Sequence, residues 1–259
     1  MLNQEDRSVF LNAVMFYTRI PVPSDLPYSA ELLNKSRKYF TLIGLIIGAI
    51  GCLSFVITNI FLPASIAVLL SMIASILATG AFHEDGFADT CDALGGGWEP
   101  EQILTIMKDS RIGTYGTVGL VAILALKALV LTNLTSFGVA TWCICMIAAH
   151  TSSRLFASQI VDNHEYVQDT DKSKIKPIAT HALDFQAKNF SLMVGLAPCL
   201  VLAFISFTSA FIGLLIAFIA AKYFMNYCQY RVGGYTGDIL GATQQICEVI
   251  FLLSCLAFL

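Results

Sequence analysis

Long apolar blocks alternate with a few polar connections along this chain. Apolar runs occupy residues 40–61, 64–82, 114–134, 137–157, 190–207, 210–225 and 241–259. Each is close to the length of about 20 residues that a helix needs to cross a hydrocarbon core. Ahead of them, Val9, Phe10, Ala13, Val14 and Tyr17 recur at helical spacing, which predicts a short amphipathic helix lying on the membrane surface. Pro21, Pro23 and Pro27 then break the chain. The pattern predicts an all-α, polytopic membrane bundle of about seven transmembrane helices plus one N-terminal interfacial helix. A single integral membrane domain spans residues 1–259. The turns near residues 62–63, 136 and 208–209 are very short, whereas 83–113, 158–189 and 226–240 form long polar connections.

Composition strengthens this picture. Hydrophobic residues make up 56% and charged residues only 13%, about half the ~25% usual in soluble proteins, and the mean hydropathy is +0.72. A soluble globule of this size could not be covered by so little charge. The net charge of −3 and the lack of a basic patch interleaved with aromatics argue against nucleic-acid binding. The eight cysteines sit mostly inside apolar blocks without a CxxC pair, so they are expected as buried thiols rather than disulfides.

Charge also sets an orientation. Arg7, Arg19, Lys35, Arg37 and Lys38 precede the first span. Lys108 and Arg111 lie in the first long connection, Lys172, Lys174, Lys176 and Lys188 in the second, and Lys222 and Arg231 flank the third. The short turns carry no Lys or Arg. The positive-inside rule then puts the N-terminus and all three long connections on the cytoplasmic side. Lys127 falls within the third span and requires a partner, for which Glu248 in the last span is the candidate.

The candidate chemistry lies in His83-Glu84-Asp85-Gly86-Phe87-Ala88-Asp89-Thr90-Cys91-Asp92. On a helix Asp85, Asp89 and Asp92 share one stripe, with Glu84 beside it. Such carboxylates repel one another unless a divalent cation neutralises them, and an all-oxygen set suits Mg²⁺ or Mn²⁺ rather than zinc. Metal is therefore assigned to Glu84, Asp85, Asp89 and Asp92. His83 is expected to be structural and Cys91 a spacer. Lys108 and Arg111, with Asp109 between them, suit the oxygens of a diphosphate. Gly234, Thr236 and Gly237 would let backbone N–H groups approach an anion, and Asp238 adds a ligand or a base. Arg37, Lys38 and Arg154 are expected as membrane-surface anchors.

Three of these runs, namely residues 83–97, Ile106-Met107-Lys108-Asp109-Ser110-Arg111-Ile112-Gly113-Thr114-Tyr115-Gly116 and Gly234-Tyr235-Thr236-Gly237-Asp238-Ile239-Leu240-Gly241-Ala242, closely resemble the cobalamin synthase family. Phe16-Tyr17-Thr18-Arg19-Ile20-Pro21-Val22-Pro23 and Ser36-Arg37-Lys38-Tyr39-Phe40 resemble it too, so the matches touch nearly the whole chain. The resemblance implies a Mg²⁺-dependent enzyme of the bacterial inner membrane. In that family a ribose hydroxyl of α-ribazole, or of its 5′-phosphate, attacks the cobinamide-side phosphate of adenosylcobinamide-GDP and GMP leaves. The resemblance and the residues together give Asp85, Asp89, Asp92 and Asp238 to catalysis, one of them taking the hydroxyl proton. Lys108, Asp109, Arg111, Gly234, Thr236 and Gly237 then hold substrate, and no chemistry falls to Tyr235.

Three other classes compete. A CDP-alcohol phosphotransferase or an intramembrane prenyltransferase would also set an Asp-rich helix against a Mg²⁺-bound diphosphate. The first usually carries Ala-Arg after Asp-Gly, and the arginine is missing here. A transporter would concentrate its ionisable residues at mid-membrane, whereas here they gather in the connections. Gly44, Gly48 and Gly51 form a small-residue stripe that leaves homo-oligomerisation open.

Overall fold

The computed structural model describes residues 4–168 and 182–259; Lys172, Lys174 and Lys176 lie outside the described residues. The described chain is helical, in the order α1 (Gln4–Tyr17), α2 (Ala30–Ser36), α3 (Phe40–Thr58), α4 (Ala64–Thr79), α5 (Phe82–Gly96), α6 (Pro100–Met107), α7 (Thr114–Leu134), α8 (Val139–Val161), α9 (Phe185–Ile205), α10 (Phe207–Val232) and α11 (Gly237–Phe258). Five of the expected spans, represented by α3, α7, α9, α10 and α11, are long and apolar enough to cross a bilayer. Side chains such as Val118, Val121, Leu129, Leu200 and Phe204 are exposed on them, which is the outward surface that lipid requires.

The expected count of seven is not reached on length and apolarity alone. The sixth segment, α4, has 16 residues and passes only together with α5, from which it is bent by 88°. The seventh, α8, has 23 residues, but its second half carries His150, Thr151, Ser152, Ser153 and Arg154, which lowers its hydropathy. All five of those side chains are buried. Helix α8 packs against α3, α9 and α11, so its polar face is turned to protein rather than lipid.

The N-terminal helix also departs from expectation. Its stripe of Val9, Ala13, Val14 and Tyr17 packs onto Tyr39, Phe40, Ile43 and Ile47, so this apolar face is covered by the chain itself. The small-residue stripe is consumed internally as well. A Cβ on Gly44 would sit 2.5 Å from the His150 carbonyl oxygen, and one on Gly48 would sit 3.1 Å from the Ile147 Cα. Gly51 accepts from the Ser71 hydroxyl at 2.8 Å. These glycines let α3 approach α8 and α4 closely, and that face is not available to a second copy. All eight cysteines are free thiols, as expected.

The joint between α4 and α5 positions the acidic stripe. Gly80 (φ +70°) and Ala81 (φ +58°) are both left-handed. Glycine adopts this conformation freely, while an alanine there costs about 1 kcal/mol. The Ala81 N–H donates to the Ile76 carbonyl at 3.0 Å, closing the end of α4. Arg19 crosses the joint: its N–H donates to the Ala78 carbonyl at 2.8 Å, and a Cβ on Gly80 would lie 2.3 Å from its Nε. The bend carries α5 off the membrane-crossing direction and across the start of α11.

Candidate active site

Helix α5 meets α11 through two glycines. A Cβ on Gly86 would come within 3.0 Å of the Asp238 Cα, and one on Gly241 within 3.3 Å of the His83 carbonyl oxygen. This close approach sets Asp238, in the first turn of α11, against the stripe on α5. The segment before α11 is fixed from two sides. The Thr236 hydroxyl caps the helix by accepting from the Ile239 N–H at 3.2 Å, and it donates to the Met107 sulfur at 3.0 Å. The Tyr235 N–H donates to the Glu165 carbonyl at 2.9 Å, and Tyr235 in turn accepts from the Val167 N–H at 3.0 Å. Gly234 permits that bridge, because a Cβ there would sit 2.2 Å from the Glu165 oxygen. Gly234 and Thr236, expected at the substrate, are therefore engaged in holding the loop. Gly237 is exposed and has open space where its Cβ would be.

The acidic residues separate into three groups. Asp85 and Asp238 line a partly open cavity of about 350 Å³. Asp92 turns instead to α7: its carboxylate accepts from the Gly113 N–H at 2.7 Å and the Gly116 N–H at 2.8 Å. It satisfies free donors at the positive end of that helix. The glycine spacing in Gly113-Thr114-Tyr115-Gly116 follows, since a Cβ on either glycine would collide with that carboxylate at 2.5 and 2.3 Å. Asp89 stands between these two regions. Burial, with the charges of Asp85, Asp238 and Asp92 adding to it, pushes its carboxyl up to about 7.

Glu84 is turned a further 100° around α5 and leaves the stripe. Its Oε1 accepts from Gln245 Nε2 at 3.1 Å. Gln245 donates to Gln244 at 2.9 Å, and Gln244 donates to Glu248 at 2.5 Å and to Ser153 at 3.0 Å. Glu248 is the buried partner of Lys127, as the sequence indicates, and also meets His150 at 3.0 Å. A polar chain thus runs from the acidic helix into the middle of the bundle. Arg154 joins it through the His150 carbonyl at 2.9 Å, so it is a buried network member and not a surface anchor. His83 is buried between the rings of Phe40 and Phe82, and burial pushes its pKa well below the usual imidazole value; it also lines the cavity that holds Asp85 and Asp238, with its Nε2 unpartnered.

The basic candidates lie on the Asp92 side. Arg111 and Asp109 pair with each other at 2.6 Å, and the bonds from Arg111 pull the Asp109 carboxyl down to about 2. Asp109 therefore serves Arg111 first. Arg111, Asp109, Asp92 and Gly113 line one shallow groove, and Lys108 is exposed at the end of α6. Arg37, expected as an anchor, is buried instead. It donates to the Ser158 carbonyl at 3.1 Å, pairs with Asp162 at 2.7 Å, and lines the cavity that holds Asp85 and Asp238. Tyr166 and Gln168 also line that cavity. They sit in an irregular stretch with no motif to announce them.

Among the described residues, no three His, Cys, Asp or Glu side chains converge closely enough to ligate a metal ion unaided. The donors around Asp89 still fit a hard cation that shares its coordination with substrate phosphates, because they are oxygens and Mg²⁺ commonly takes only one or two protein carboxylates. The charge repulsion already acting on Asp89 is what such an ion would relieve.

Comparison with known proteins adds the following. The cobalamin-5-phosphate synthase family matches residues 9–256. A Shewanella amazonensis protein named adenosylcobinamide-GDP ribazoletransferase is 42% identical over 250 residues, covering 96% of this chain and 95% of the relative. A Vibrio cholerae protein of the same name is 43% identical over 255 residues, covering 97% and 94%. No solved structure matches the chain.

Proposed function

The chain belongs to the cobalamin-5-phosphate synthase family, and from that premise we propose that it transfers the cobinamide phosphate of adenosylcobinamide-GDP to α-ribazole or α-ribazole 5′-phosphate, releasing GMP. The observation that carries the mechanism is the placement of Asp89 between a cavity holding Asp85 and Asp238 and a groove holding Arg111. Two substrates must meet at one phosphorus atom, and two recesses meeting at a carboxylate cluster suit that requirement.

In this reading Arg111 and Lys108 bind the diphosphate from the groove side, Arg111 by its planar fork. Asp85 and Asp89 hold Mg²⁺, which when bound neutralises diphosphate charge as the leaving group departs. Asp238 accepts the proton of the attacking ribose hydroxyl. The new bond joins that hydroxyl oxygen to the cobinamide-side phosphorus, and the bond to the bridging oxygen breaks, so GMP leaves with it. Asp92 holds the start of α7, and Glu84 anchors α5 to α11; both act on the position of the other carboxylates. The bias of Lys and Arg toward the long connections supports an active site facing the cytoplasm, in the bacterial inner membrane.

The test is purified protein with adenosylcobinamide-GDP, α-ribazole and Mg²⁺. GMP and a cobalamin should appear together, and EDTA should stop both. Release of CMP or pyrophosphate from the rival substrate classes, with no GMP from this pair, would overturn the reading.

A further inference from the structure

The cavity that holds Asp85 and Asp238 has a composition that the reaction alone does not require. Four of its rings, Phe16 and Tyr17 from α1, Phe40 from α3 and Phe82 from α5, form one connected aromatic cluster: Phe16 meets Phe82 at 5.3 Å and Tyr17 stacks on Phe40 at 4.5 Å. A second pair, Tyr166 and Tyr235, meets at 5.6 Å on the loops joined by the backbone bridge. The polar groups among these rings are Arg37, His83, Ser158 and Gln168, with Asp85 and Asp238. Arg37 is already bonded to Ser158 and Asp162. Asp85 and Asp238 mark the end of the cavity that adjoins Asp89.

We infer that this cavity is the acceptor site and that its rings stack on the flat base of the nucleoside, with the ribose directed toward Asp85 and Asp238. This assignment rests on the transfer reaction proposed above. Size supports it. About 350 Å³ is at the small end of the ~300–1,000 Å³ typical of ligand pockets. It suits a nucleoside and is far too small for a corrin ring with its side chains. Chemistry separates the acceptor from the other flat base in the reaction, the guanine of the donor. Guanine carries donors and acceptors around most of its edge, more than a mainly apolar, ring-rich lining can pair, and each one left unpaired costs free energy. The base of α-ribazole is a methylated benzimidazole whose outer edge is hydrocarbon, so a ring-lined cavity solvates it well. The donor's charged diphosphate has Arg111 and Lys108 on the open side.

The measurement is steady-state kinetics with each substrate varied in turn, on the parent protein and on Phe16→Ala, Phe16→Leu, Tyr166→Ala and Tyr166→Phe. Loss of a stacking ring should raise KM for α-ribazole by roughly 10-fold. It should leave KM for adenosylcobinamide-GDP within about twofold of the parent value. Tyr166→Phe keeps the ring and should raise KM for α-ribazole less than Tyr166→Ala does. Phe16→Leu keeps most of the volume and tests stacking if the alanine variant does not fold. Equilibrium dialysis of labelled α-ribazole against the parent, without donor, should show binding that excess GDP does not displace. A rise confined to the donor's KM, or displacement by GDP, would give the cavity to guanine and overturn the assignment. Unchanged KM values in correctly folded variants would overturn it too. Absence of GMP release from the parent itself would instead remove the reaction reading, so the two failures are distinguishable.

Discussion

Replacing Asp89 by Asn should damage the enzyme and stabilise the protein at once. The Asp89 carboxyl is lifted from 3.8 to about 7, which for a fully buried group would correspond to ~4 kcal/mol. The side chain is partly exposed, and solvent screening reduces the figure to roughly 1–2 kcal/mol. The sign follows from proton linkage. A carboxyl whose pKa is higher in the folded state opposes folding when ionised, so this penalty is absent below about pH 4, grows with pH, and is complete above about pH 7. Asn removes it. In detergent with EDTA at pH 8, Asp89→Asn should therefore unfold roughly 3–6 °C above the parent, and at pH 4 the gap should close. Saturating Mg²⁺ should raise the parent's unfolding temperature and leave the variant's nearly unchanged. Turnover, followed as GMP release at pH 8, should fall by about 100-fold or more. A variant that unfolds earlier than the parent at pH 8 without metal, or that turns over normally, would refute the reasoning.

Further outcomes follow from the same geometry. Protons compete with Mg²⁺ for Asp89, so the Mg²⁺ concentration giving half-maximal activity should be about tenfold lower at pH 8 than at pH 6; a pH-independent value would contradict this. Asp92→Ala should cost about 1 kcal/mol through loss of the α7 cap, read as a lower unfolding temperature, and should leave the Mg²⁺ requirement within about threefold. Lys127→Met leaves Glu248 with only His150 and the more distant Arg154 and should cost about 3 kcal/mol, read as a lower unfolding temperature. Gly234→Ala drives a methyl into the Glu165 carbonyl and should cost ~1–3 kcal/mol while raising KM for the acceptor, because the bridge it breaks carries Tyr166 and Tyr235.

Long apolar periodicity made most of the bundle legible in the sequence. Charge chemistry made one long-range contact legible as well: a lysine inside a span needs an anion, and Glu248 supplies it. What periodicity could not reveal was which way a polar face turns. Helix α8 is polar along its second half because it packs inward, so its pattern understates its place in the bundle. The acidic stripe is helical as the spacing suggests, yet equal spacing gave Asp85, Asp89 and Asp92 equal standing. Only the arrival of α7, two connections later, distinguishes Asp92 as a cap. Glu84 is one residue from Asp85, and the 100° between them sends it to a different neighbour. Tyr166 and Gln168 reach the cavity from irregular backbone, where no period marks a side chain's direction.

The pairing of Lys127 with Glu248 has a consequence for how the protein is made. Lys127 is on α7 and Arg154 on α8, while their shared anion is on α11, the last helix in this sequence to leave the ribosome. A cation at the centre of an inserted helix costs ~2.5–3.5 kcal/mol when nothing neutralises it. Until α11 arrives, Lys127 and Arg154 have only the charge of Glu84 on α5 to oppose theirs. Glu248 closes the account only when α11 docks, and the same docking brings Asp238 to the acidic stripe. The docking of α11 thus completes the buried charge network and the acidic cluster together, and a nascent chain that has not yet received this helix has neither.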